Sequence, residues 1–278
     1  MIRTVQRRSL ASVWCAAALA LGVIAAAGPA RAGLIFDAAT GGSARLGYIT
    51  STDSSLAGTL YTHPSFPGVN AIDGNLATRA DTYSGTEVSG AGNNTAPLDF
   101  VGVVWGGAVS DIAAVRLHQF VYFDGGWFGT STGDTHSTNT SSPPTNTAAA
   151  DAADAADIAA PTVQVSFDSG ASWTDVAATE DYLSIVQPFV ATNFIGRIAT
   201  PITFTFTPQS GITGIRLVGY GGGRSDVSGG RDEQGWISVA EFEVGRLVAD
   251  VPEPASLALF GIGLAGLGLA RRRAAPQR

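Results

Sequence analysis

Residues 70–80 read Asn-Ala-Ile-Asp-Gly-Asn-Leu-Ala-Thr-Arg-Ala. An Asp-Gly pair followed by small polar residues is a tight-turn signal. The same turn can aim the Asp73 carboxylate, the Asn75 amide, the Thr78 hydroxyl and backbone carbonyls at one point. That is an all-oxygen donor set of the kind calcium takes. At the level of the residues both readings stand, a plain turn and a cation loop. A second candidate is FDGGWFG at 123–129, where Trp127 and Phe128 sit among glycines. An exposed aromatic plane there would stack on a sugar face; the other outcome is that a ring tucks back into the core. A third is the glycine-rich stretch 221–235, whose Arg224 and Arg231, with Asp226 and Asp232, are either ligand partners or the charges of a solvated loop.

Catalytic patterns are missing. His63, His118 and His136 stand in unrelated contexts, and neither H-E-x-x-H nor G-x-S-x-G occurs. Lysine is absent from the chain, which removes the phosphate-loop signature. Glycoside hydrolysis needs two facing carboxylates; Asp99, Asp111, Glu241 and Glu243 are the acids from which such a pair would come. The reading is therefore non-enzymatic, with a polysaccharide-active enzyme as the minor alternative.

These residues sit in a frame of short alternating runs. In TVQVSFDSG, Val163, Val165 and Phe167 point one way and Gln164, Ser166 and Asp168 the other before a Gly170 turn, which predicts a half-buried strand entering a hairpin. In PITFTFTP, Ile202, Phe204 and Phe206 alternate with threonines between two prolines. LDFVGVVWGG (98–107) is apolar on both faces, AVRLHQFVYF (114–123) is rich in strand formers, and GIRLVGYGGG and GWISVAEFEVG add two more strands. Trp173 and Trp236 flank strands and are expected in the core. Strands without crossover helices between them predict a sandwich or barrel. Low-complexity sequence at 129–160 interrupts the pattern, first threonine-rich, then alanine-rich with Asp151, Asp154 and Asp157 three apart. It reads as a surface insertion whose second half is a short helix or a solvated loop.

Charge narrows the partners. The 278 residues carry 16 basic and 23 acidic side chains, and eight of the arginines lie before residue 32 or after residue 270. Between Gly33 and Asp250, 22 acids face eight arginines, a net charge of −14. Nucleic acid needs clustered positive charge, so it is excluded as a partner; neutral glycans and divalent cations are compatible. Residues 1–32 read as a secretory signal peptide, with Arg3, Arg7 and Arg8, an apolar stretch and an Ala30-Arg31-Ala32 cleavage site. The single cysteine, Cys15, lies inside that segment, so an exported chain starting at Gly33 forms no disulfide.

Pro252-Glu253-Pro254, the uncharged run Ala255–Ala270 and Arg271-Arg272-Arg273 follow one another at the other end. As a helix the uncharged run would span about 24 Å, short of a ~30 Å hydrocarbon core. In order and composition this segment, 251–273, resembles the PEP-CTERM sorting signal of Gram-negative bacteria. That resemblance implies cleavage near Pro-Glu-Pro by an exosortase, transient anchoring by a transmembrane segment at 255–270, and release to the cell surface or an exopolysaccharide matrix.

AIDGNLAT, VQVSFDSGASW and IRLVGYGGG…GWISVAEFEV together resemble the discoidin, or coagulation-factor C-type, family over about residues 60–245. The resemblance implies an all-β, galactose-binding-like jelly-roll sandwich of eight strands over 33–247 that binds carbohydrate with loops at one end. It further implies a structural Ca2+ held by Asp73, Asn75 and Thr78 with Glu241 as the distant ligand. Ala80 departs from the family pattern, which has a tryptophan there. The expected protein is an exported, calcium-supported carbohydrate binder; the alternative is a purely structural matrix or adhesion protein.

Overall fold

The computed structural model describes residues 33–37, 39, 41–49, 57–60, 65–82, 98–122, 125–130, 155–156, 158–192, 194–223, 236–248 and 264. The strands are β1 (Gly33–Asp37), β2 (Gly42–Ile49), β3 (Thr59–Leu60), β4 (Ala80–Asp81), β5 (Leu98–Val109), β6 (Ile112–Val121), β7 (Gly125–Gly129), β8 (Thr162–Ser166), β9 (Thr174–Val176), β10 (Ala178–Glu180), β11 (Gly196–Arg197), β12 (Ile202–Gln209), β13 (Ile212–Gly223) and β14 (Ser238–Val248). One helix, α1 (Tyr182–Val190), and a 3-10 turn, Gly68–Ile72, complete the described elements. Nearly all fall within Leu34–Leu247, which forms one compact unit.

Two antiparallel sheets make a β-sandwich. The first has the order β1-β14-β6-β12-β10, with β4 on β14 and β11 on β6; the second has β3-β2-β5-β13-β8-β9, with β7 on β13. Val101, Val103, Ile215, Leu217, Val163 and Val165 of the second sheet meet Val115, Leu117, Ile202, Phe204, Phe242 and Val244 of the first in a single buried core. Each such side chain contributes about 1.5–3 kcal/mol by leaving water. Fourteen strands are described where the family resemblance implies eight, and short ones such as β4 and β11 account for part of the excess.

Alternation explains most of this. Ile202, Phe204 and Phe206 are buried while Thr205 and Thr207 are exposed. In TVQVSFDSG the alternation stops one residue early. Val163 and Val165 are buried, but Phe167 is 56% exposed, because β8 ends at Ser166 and the chain turns. On α1, Tyr182, Val186 and Val190 are buried at the i, i+4, i+8 spacing of a helical stripe, and the Tyr182 ring lies 6.3 Å from that of Phe204. Ala155 and Ile158, at the end of the low-complexity stretch, are buried, and Gln187 donates to the Ala155 carbonyl. The rest of that insertion, residues 131–154, lies outside the described residues, as does the signal segment 1–32.

The two ends of the sandwich differ. At one end the chain changes sheets through the tight corners Ser110-Asp111 and Ser210-Gly211, which bond to each other through Asp111 N–H to Ser210 Oγ at 3.3 Å, while Gly211 N–H donates to the carbonyl of Val109 at the end of β5 at 2.8 Å. At the other end Ile49 pairs with Leu98, Gly219 with Asp99, Thr162 with Val218 and Phe120 with Ser238. Segments 50–56, 83–97 and 224–235 all attach to strands there.

Trp127 and Phe128 correct the sequence expectation. They lie in β7, 1% and 0% exposed, and offer no face to a ligand. β7 pairs with the glycine-rich end of β13. At Gly222 a Cβ would stand 2.2 Å from the Trp127 indole, so the glycines there serve close approach to a buried ring. The Phe128 N–H donates to the Tyr182 hydroxyl at 2.7 Å.

Candidate functional site

The loop after the 3-10 turn is built by its own side chains. Asp73 closes that turn and Gly74 follows at φ +72°, a region glycine enters without steric cost. Asp73 Oδ1 accepts from Asn75 N–H at 2.8 Å, and Asn75 Oδ1 accepts from Ala77 N–H at 3.1 Å. The Thr78 hydroxyl lies 2.8 Å from Asp73 Oδ2 and 2.7 Å from the Asn75 carbonyl. These successive side-chain turns are why the Asp-Gly-Asn sequence folds locally without a helix or strand.

Glu241 reaches this loop from β14. Between Val239, opposite Gln119, and Glu241, opposite His118, β14 carries one extra residue, Ala240. Such a bulge re-aims the side chain beside it. Glu241 is 1% exposed, and its Oε2 accepts the Gly74 N–H at 2.9 Å. Its Oε1 is buried with no hydrogen-bond partner. Burial pushes the carboxyl up to about 7, against the Gly74 N–H, with Asp73 and Glu243 adding repulsion. Next to it, Glu243 Oε2 lies 3.3 Å from His118 Nε2 and accepts from Arg116 at 3.2 Å. Burial holds the His118 pKa below its ordinary value.

The four sequence-nominated ligands are thus brought together. Asp73, Asn75 and Thr78 form one hydrogen-bonded loop, and Glu241 is tied to it through Gly74. Only two of the four are carboxylates. Among the described residues no group of three or more His, Cys, Asp or Glu side chains could hold a metal ion. Any cation here depends on backbone carbonyls as well. Arg224 and Arg231 lie outside the described residues, as do Pro252, Glu253, Pro254 and Arg271 to Arg273.

Sequence reading missed the groups that carry this loop. The Arg79 guanidinium lies 3.7 Å from the Phe66 ring centre and 4.7 Å from that of Tyr122, and its Nε donates to the buried Asp81 at 3.1 Å. Ala80, where the family pattern has tryptophan, is fully buried opposite Val239. Nearby, Asp99 is 8% exposed at the loop-bearing end and accepts from the Thr82 hydroxyl at 3.2 Å. Burial pushes its carboxyl up to about 8. The sequence offers Asp99 only as one of four acids for a hydrolytic pair.

Fold and site together define a two-sheet β-sandwich with a carboxylate-bearing loop braced against one face. Residues 250–273 match the PEP-CTERM protein-sorting motif. No curated protein sequence matches it significantly. Among solved structures, a family 32 CBM from C. perfringens in complex with galactose is 13% identical, with a TM-score of 0.38, covering 77% of this chain and 99% of its own. A chitosan-binding module from Paenibacillus sp. IK-5 is 18% identical at a TM-score of 0.34, covering 75% and 97%. A second C. perfringens CBM32, in complex with GalNAc-β-1,3-galactose, is 15% identical at 0.36, covering 76% and 99%. These are likenesses alone; the sandwich itself rests on the strand registers.

Proposed function

We propose that this chain is an exported exosortase substrate whose sandwich binds polysaccharide at the cell surface or in the surrounding matrix without acting on it. In this reading Asp73 and Glu241 hold a calcium ion, with Asn75, Thr78 and backbone carbonyls completing an all-oxygen set. The observation that carries it is the Glu241 carboxylate, buried beside Asp73 with Oε1 unpartnered. A buried carboxylate with one oxygen lacking a donor is expensive, and a bound cation removes that cost. Calcium would supply positive charge to two neighbouring acids. Asp73 and Glu241 would then lock the loop to β14, fixing the end of the sandwich where segments 50–56, 83–97 and 224–235 attach. The sorting motif supports export and processing.

A second reading, a structural matrix protein without a small ligand, is favoured by the burial of Trp127 and Phe128. A glycan array of the purified chain, run with calcium and with chelator, separates the two. The expected outcome is binding to at least one polysaccharide fragment, weakened by chelator. An array blank in both conditions leaves the structural reading. Anchoring followed by release is checked by mass spectrometry of the mature protein in a host with active exosortase. Retention of residues 255–278 would overturn the processing step.

A further inference from the structure

We propose that a cleft on the outer face of the second sheet, running from the β8–β9 pair to the strand ends at the loop-bearing end, is a glycan subsite that takes a neutral or amino pyranose unit through Asp175, Gln164, Thr162 and Tyr220. The proposal rests on the reading of the sandwich as a polysaccharide binder and adds a place and a sugar class.

The cleft has a volume of about 360 Å³ and is lined by Leu98, Val218, Thr162, Gln164, Asp175 and Tyr220, together with small residues such as Gly129 and Ala160. That volume is near the lower end for small-ligand sites. Its apolar side belongs to a small cluster outside the main core, in which Leu98 packs on Ile49, Phe100 and Val218. The polar side is ordered by cross-strand register. Arg216 of β13 stands opposite Gln164 of β8, and Gln164 stands opposite Asp175 of β9. Arg216 Nε donates to Gln164 Oε1 at 2.8 Å, and Gln164 Nε2 donates to Asp175 Oδ1 at 2.7 Å. One chain of donors therefore fixes both the amide and the carboxylate.

The anchor of that chain is itself unusual. Arg216 is fully buried, with its guanidinium 4.2 Å from the Trp173 ring centre and an Nη1–H donating to the Ala57 carbonyl at 3.3 Å. Burial, with Arg45 nearby and Asp175 opposing, lowers its pKa to about 10. Apolar side chains of similar volume often hold a sheet at no loss. What arginine adds here is a fixed rotamer for Gln164 and Asp175, so a ligand that bonds to them loses less entropy on binding.

Carbohydrate fits these groups. A pyranose presents an apolar C–H face and a rim of hydroxyls, each of which both donates and accepts. Leu98, Val218 and the Tyr220 ring suit the face. The Asp175 lone pairs beyond the one taken by Gln164, and the Thr162 hydroxyl, suit the rim. Among the described residues that line the cleft Asp175 is the charged one, so a uronate is repelled and a neutral or amino sugar accepted.

Hydrogen-exchange mass spectrometry of the full chain, alone and with cellotetraose or with the tetramer of β-1,4-glucosamine, tests this. Expected is protection at 159–166, 173–176 and 216–222 with at least one probe, and affinity weakened about tenfold or more in Thr162→Trp, which fills the cleft from an exposed position. Asp175→Ala, also exposed, gives the same loss should the tryptophan disturb folding. Protection confined to other peptides, or wild-type affinity in both variants, overturns the subsite and leaves polysaccharide binding standing. No protection with either probe overturns the subsite for neutral and amino sugars, and the glycan array alone then decides polysaccharide binding.

Discussion

Two aspartate-centred turns in this sandwich look alike in sequence and differ in what they lack. In the β8–β9 hairpin, Asp168 Oδ1 accepts from the Ser166 hydroxyl and the Ser172 N–H, both at 2.8 Å, and Oδ2 accepts from the Ser172 hydroxyl at 2.5 Å. Those bonds, the Ser172 hydroxyl first, hold its pKa down to about 2. In the 73–78 loop the matching task is shared with Glu241, which keeps one oxygen without a partner and is pushed up to about 7. The first turn is complete by itself. The second is complete only with a proton or a cation, and this difference separates a structural turn from a candidate site.

Calcium is the strongest way to break the comparison. If it binds the native state alone, a concentration a hundredfold above Kd adds about 2.7 kcal/mol, a rise in Tm of roughly 5–10 °C for a domain of this size. Glu241→Gln should abolish that rise, and Asp168→Asn should leave it intact, as read by calorimetry with calcium and with chelator. A full calcium shift surviving in Glu241→Gln would remove Glu241 from the site.

The contrast also explains what sequence reading could reach. Every partner of Asp168 lies within four residues of it, so the hairpin was legible as alternation ending in a turn. Gly74 and Glu241 are 167 positions apart, and nothing local announces their contact. Only a family resemblance placed Glu241 beside Asp73. The β8, β12 and β14 strands were legible because Val163, Phe204 and Phe242 fall on a period-two pattern that burial enforces. Trp127 and Phe128 were misread because flanking glycines signal loops, whereas here they let β7 and β13 approach closely around the rings. The helix at 182–190 does carry its i, i+4, i+8 stripe, but a nine-residue amphipathic stretch among strands is weak evidence before Tyr182 is seen against Phe128 and Phe204.

Titration sharpens the same contrast with opposite signs. In chelator, Glu241 binds a proton more tightly in the native chain than at its ordinary value of 4.5. Its contribution is therefore full below about 4.5 and lost as pH rises through about 7. Asp99, raised to about 8, extends this loss to higher pH. Melting curves from pH 4.5 to 8.5 should fall across that range in the wild type. In Glu241→Gln the fall should be flatter up to about pH 7, and in Asp99→Asn it should be flatter across the whole range up to about pH 8. Calcium should suppress the Glu241 part, since a bound cation replaces the proton. An unchanged slope in Glu241→Gln would mean that this carboxyl titrates normally.

The smallest effect belongs to the turn that is already complete. Asp168 is depressed from its ordinary value of 3.8 to about 2, so its contribution is present above about 4 and fades as pH falls through about 2. Ser172→Ala removes the hydroxyl that lowers it most while keeping the Ser172 N–H bond. Its expected result is a Tm reduced by a few degrees at neutral pH, in line with the loss of one charge-assisted hydrogen bond. The acid end of the stability curve should move to higher pH, with no change in the calcium response. Ser172 lies on an exposed hairpin whose Trp173 ring is held separately, by Nε1–H to the Gly170 carbonyl at 3.1 Å. The variant therefore isolates the carboxylate from the packing. A calcium response that weakened along with the acid limb would show that the two turns are coupled, and would undo the distinction between them.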